Sequence, residues 1–84
     1  MIRDIIFNKK TLTICLEGKI NKKNINILRK RLYYISNEYS IFNIIIKLNN
    51  ISYIDTEAFY DFLDEYDDTI GGNLKLEKEE FVPF

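Results

Sequence analysis

The 84-residue sequence predicts a small α/β domain, a mixed β-sheet with helices packed on one side, in the order β-β-α-β-α-β. Three observations predict it. Short runs rich in Ile, Leu and Thr alternate apolar and polar side chains. Two longer segments repeat apolar residues every three or four positions. The change from one period to the other happens twice, each time at a small polar residue suited to starting a helix.

Residues 2–7, IRDIIF, and 11–17, TLTICLE, flank NKK and read as a β-hairpin. In the second run Leu12, Ile14 and Leu16 alternate with Thr11, Thr13, Cys15 and Glu17, and Gly18 is expected to end the strand at a place where a Cβ does not fit. Asn21 is the expected N-cap of a first helix whose apolar stripe is Ile25, Leu28, Leu32, Ile35 and Tyr39. Its other face carries Lys22, Lys23, Arg29, Lys30 and Arg31 and reads as a solvated basic exterior. The nearly continuous β-branched run of residues 42–48, FNIIIKL, suits a central strand. After ISYI the spacing turns helical again, through Phe59, Phe62, Leu63, Tyr66 and Ile70. The outer face of this second helix holds Glu57, Asp61, Asp64, Glu65, Asp67 and Asp68 with no basic residue among them. Acidic groups late in a helix oppose its dipole, so the pattern points to a basic neighbour, either the first helix or a docking partner. Gly71-Gly72 supplies a helix stop, and NLKLEKEE a final half-exposed strand before the tail FVPF. Right-handed crossovers would put both helices on the same side of the sheet.

Composition narrows the function. One short domain is expected over residues 1–84, with six Phe and six Tyr to build its core. Twelve Lys and Arg against thirteen Asp and Glu give a net charge of −1, which argues against direct nucleic-acid binding. The single cysteine, Cys15, lies in an apolar run, so a packing role and a reduced cytoplasmic setting are expected. No apolar run is long enough for membrane insertion. The chain has no histidine, no nucleophile elbow and no phosphate-cradling glycine loop. A non-catalytic protein without metal or cofactor is therefore expected.

The stretch ISYIDTEAFYDFL asks why a hydroxyl follows Asp at the switch from strand to helix. Either Asp55 or Thr56 can cap the helix, since the first backbone N–H groups need acceptors. The wider pattern adds a second answer. TLTICLEGKIN, FNIIIKLNNISYIDTEAFYDFL and IGGNLKL together resemble the STAS domain of bacterial anti-sigma factor antagonists and stressosome proteins, over roughly residues 11 to 77. The resemblance implies that Asp55 is the family's acidic residue and Thr56 its phosphoacceptor, modified by a partner kinase that in antagonists is the anti-sigma factor itself. Gly18 and Gly72 match recurrent turn glycines of the family. The implied partner surface is Asp55, Thr56, Glu57, Tyr60 and Asn21, and the implied partner an anti-sigma factor or related serine/threonine kinase.

This sequence departs from the pattern in three places. Glu57-Ala58 replaces a second small hydroxyl residue and Gly, and Asn21 stands where Asp is frequent. Family members usually continue through a further helix, so the resemblance is to a form shortened at its C-terminus, whose uncovered apolar residues, including those of EEFVPF, self-association would cover. The alternative expectation is a structural scaffold or assembly subunit that oligomerises, with Thr56 only a helix cap.

Overall fold

The computed structural model describes residues 1–70 and 73–78. Its elements are β1 (Ile2–Asn8), β2 (Thr11–Ile20), α1 (Lys22–Glu38), β3 (Asn43–Ile54), α2 (Thr56–Ile70) and β4 (Leu74–Lys78). The sheet runs in the order β1-β2-β3-β4, with β1 antiparallel to β2 and the other neighbours parallel. Both parallel pairs are bridged by a helix, the connection such pairs require.

Alternation decides what the sheet buries. Leu12, Ile14 and Leu16 of β2 and Ile44, Ile46 and Leu48 of β3 are fully buried in one cluster with Ile25, Leu28 and Leu32 of α1 and Phe59, Phe62, Leu63 and Tyr66 of α2. Both helices therefore cover the same face of the sheet, as expected. The residues between, such as Thr13, Cys15, Ile45 and Lys47, are only partly buried on the opposite face. Cys15 is thus not a core residue: its position in the alternation turns it from the helices, level with Asp4 and Lys47.

The structure corrects further local expectations. Gly18 does not end β2, which continues to Ile20. There Leu16 to Gly18 is matched by Leu48 to Ile51, and Gly18 to Lys19 by Ile51 to Tyr53, so β3 carries extra residues as bulges while the pairing persists. Asn50, at φ 53°, absorbs part of this irregularity, and β3 becomes one strand instead of two runs. The need for glycine at position 18 comes from its φ of +81°, since a Cβ would meet nothing within 4 Å. Tyr39 leaves the helical stripe: it is the extended C-cap of α1, 56% exposed, with its ring on Phe7 at 5.5 Å between centroids.

The hairpin turn is Lys9-Lys10, with φ of 50° and 64°, closed by the Asn8–Thr11 pair. Two left-handed residues match the twist of the flanking strands, a conformation that Asn-Gly adopts most easily. The Lys10 carbonyl accepts the N–H groups of Phe42 and Asn43, at 2.9 and 3.3 Å, which ties the turn to the start of β3. No helix among the described residues is long and apolar enough to cross a membrane. The expectations for Gly71-Gly72, for residues 79–84 and for the Ile70 side chain lie outside the described residues.

Candidate functional site

Parallel pairing ends β2 and β3 at the same level, because Ile20 and Ile54 are register partners and the Asp55 N–H donates to the Ile20 carbonyl at 2.8 Å. The next residue of each strand starts a helix. Asn21 is extended, its Oδ1 accepts the Asn24 N–H at 2.9 Å, and its carbonyl accepts the Ile25 N–H at 2.9 Å. Asp55 repeats this: its Oδ1 accepts the Ala58 N–H at 3.1 Å and its carbonyl the Phe59 N–H at 2.9 Å. Each side chain satisfies the third helical N–H, the usual work of an N-cap. Of the two candidate caps of α2, Asp55 is the one that caps.

Thr56 is consequently the first residue inside α2, and its side chain is exposed. Among the described residues its hydroxyl makes no hydrogen bond. Beside it, Lys22, Asp55, Glu57, Ala58 and Asp61 line a shallow depression of about 190 Å³. One ammonium there faces three carboxylates across the two helix starts. Among the described residues no group of His, Cys, Asp and Glu is disposed to hold a metal ion. Tyr60, one turn beyond Thr56, is 41% exposed, with its ring edge-on to Phe59 at 6.2 Å.

Farther along, the two helices are joined by polar contacts. Arg29 Nη2 lies 3.3 Å from Glu65 Oε2, and the Tyr33 hydroxyl donates to Glu65 Oε1 at 3.0 Å. The buried Tyr66 hydroxyl donates to the Leu32 carbonyl at 2.9 Å and shares a hydrogen bond with Ser36 Oγ. The hydrogen bond to Glu65, more than burial, raises the Tyr33 phenol above its ordinary value, because the carboxylate holds the phenolic proton. Burial raises Tyr66, against a smaller lowering by Ser36. These contacts account for Glu65 in the acidic face of α2. Glu57, Asp61, Asp64, Asp67 and Asp68 make no ion pair among the described residues.

Of the residues expected from sequence, the structure brings Asn21, Asp55, Thr56 and Glu57 to one end of the sheet and sets Tyr60 one turn away. Lys22 and Asp61 join the same depression, although the sequence reading gave them to separate helix faces. The signal that unites them is the shared position of the two caps, each directly after a strand of one parallel pair.

No family model matches the chain, and neither does any curated protein. Among solved structures it is similar to a crystal structure of Mglu in its native form, with TM-score 0.77 and 12% identity, covering 94% of this chain and 24% of that one. It is similar also to a second crystal structure of Mglu, with TM-score 0.71 and 14% identity, covering 99% of this chain and 20% of that one. The chain thus spans about a quarter of the longer protein's length or less. At these identities the likeness is one of fold.

Proposed function

We propose that this chain is a non-catalytic, cytoplasmic regulatory module that binds a partner protein at the start of α2 and is switched by phosphorylation of Thr56. It resembles STAS-type anti-sigma factor antagonists in this, and the partner is an anti-sigma factor or related serine/threonine kinase. No cofactor is required. The observation that carries the reading is the division of labour at residues 55 and 56: Asp55 caps the helix, so the exposed Thr56 hydroxyl has no structural duty among the described residues.

A phosphate on Thr56 adds about −1.5 to −2 charges and three acceptor oxygens at neutral pH. The first N–H groups of α2 have no acceptor within the helix and favour that charge. Asp55 and Glu57 oppose it, and Lys22 is the cation that lines the depression with them. The fold changes little under this balance, while the surface potential at the α2 start changes sharply. A partner seated there is repelled once Thr56 is modified.

Peptide mass spectrometry on protein from its native cells tests the reading, together with capture of the partner by wild-type, Thr56→Ala and Thr56→Glu chains. A phosphate on Thr56 and a partner retained by Thr56→Ala but lost on Thr56→Glu are expected. Equal binding by both variants, with no phosphate across growth and stress conditions, overturns the proposal.

A further inference from the structure

α1 and α2 lie side by side on one face of the sheet and run parallel. At their starts Lys22 shares a depression with Asp55, Glu57 and Asp61, and toward their ends Ser36 meets Tyr66. Their outward stripes are opposite in sign. On α1 the exposed Lys23, Lys30 and Arg31 frame Ile27 and Tyr34, which are 49% and 65% exposed. On α2 the exposed Glu57, Asp61, Asp64 and Asp68 follow one another at helical spacing. None of these charged side chains is in an ion pair among the described residues. Like charges one turn apart repel, and the acidic stripe continues into the helix end that disfavours it. Beyond Glu57, which the first turn of α2 favours, the acidic stripe does not stabilise the helix that carries it.

We infer that this two-helix layer is a homodimer interface, in which α1 of each copy packs on α2 of the other. A two-fold axis lying in the interface, parallel to the helices, carries α1 onto the second copy's α2 and keeps every residue at its own height. Arg29 and Glu65, joined within one copy, mark a common height. Lys23 then meets Glu57 and Asp61 of the second copy, Lys30 and Arg31 meet Asp64 and Asp68, and symmetry makes each set twice. A two-fold axis running across the helices would instead lay the basic stripe on itself. Exposed ion pairs alone bind weakly, and Ile27 and Tyr34, within the basic stripe, add apolar area to the contact. Helices of 17 and 15 residues are about 25 Å long, and side by side they offer roughly 500 Å² per copy, which suits a reversible dimer.

This contact leaves the Thr56 hydroxyl outside it, although it shares Glu57 with the partner surface proposed above. Thr56 stands nine residues before Glu65 on the same helix, two and a half turns, and so on the flank away from α1. Sedimentation equilibrium of the full chain is the test, at low salt and at about 0.5 M salt, where screening shortens to about 4 Å. The dimer is expected at low salt, with its dissociation constant raised by about tenfold or more at high salt. The pairs Lys30→Glu with Arg31→Glu and Asp64→Lys with Asp68→Lys should each give a monomer with an unchanged circular dichroism spectrum. Mixed in equal amounts, the two monomeric variants should form a heterodimer, because each reversed stripe then meets its complement. A wild-type chain that stays monomeric into the millimolar range at low salt overturns the inference. So does a dimer that survives both reversals, or a mixture of the two variants that stays monomeric.

Discussion

At the end of β2, Ile20 leads into Asn21 and two lysines; at the end of β3, its register partner Ile54 leads into Asp55, a threonine and a glutamate. The backbone treats the two junctions alike. Each has a capping oxygen bonded to the third helical N–H, and each has an apolar residue, Ile25 or Phe59, that donates to the carbonyl of the cap and is buried in the core. Their chemistry is opposite: a neutral amide followed by cations against a carboxylate followed by a hydroxyl and an anion. What the fold requires at a strand-to-helix junction is therefore a cap and an anchor. The charge and the hydroxyl at the first helical positions are left over, and at α2 that surplus is the candidate switch.

Truncating the anchors should break the parallel between the junctions most severely. Phe59→Ala is expected to cost about 3–5 kcal/mol and Ile25→Ala about 2–5 kcal/mol, as cavities under α2 and α1. Urea denaturation would measure both, and a loss under 1 kcal/mol at either position would show that the helix start is not held by its anchor. Removing the caps comes next: Asn21→Ala and Asp55→Ala should each cost about 1 kcal/mol, since each leaves one helical N–H without its acceptor. Similar values at the two caps would confirm that the junctions are structurally equivalent. The smallest effect sharpens the contrast. Thr56→Ala and Lys22→Ala are expected to change stability by less than about 0.5 kcal/mol, as exposed residues outside the cap. A full cap's loss on Thr56→Ala would give that hydroxyl a structural duty and remove the support for the switch.

The helices were legible because their apolar stripes repeat without interruption: Ile25, Leu28 and Leu32, then Phe59, Phe62, Leu63 and Tyr66, are the residues that fill the core. The strands were legible where alternation was regular and were misread where tertiary pairing overrode local signals. Gly18 looks like a stop in sequence, yet pairing across β2 and β3 carries both strands past it through bulges that no local pattern announces. Tyr39 fits the helical spacing, but its backbone is already extended. At the site, the caps and the hydroxyl could be read from residue type at a change of period. The approach of Lys22 to Asp61 could not, because it depends on which strands are neighbours and where they end.

The position of Cys15 has a practical consequence for labelling the molecule. It is the only thiol in the chain, it sits on a strand with neighbours on both sides, and it faces away from the helical layer. A reagent that modifies thiols therefore reads a single site, free of competing cysteines. Because the side chain is only partly buried, the folded chain can be labelled there, and an attached probe reports from the face of the sheet turned from the helices. One residue thus gives chemical access to the sheet face opposite the helices.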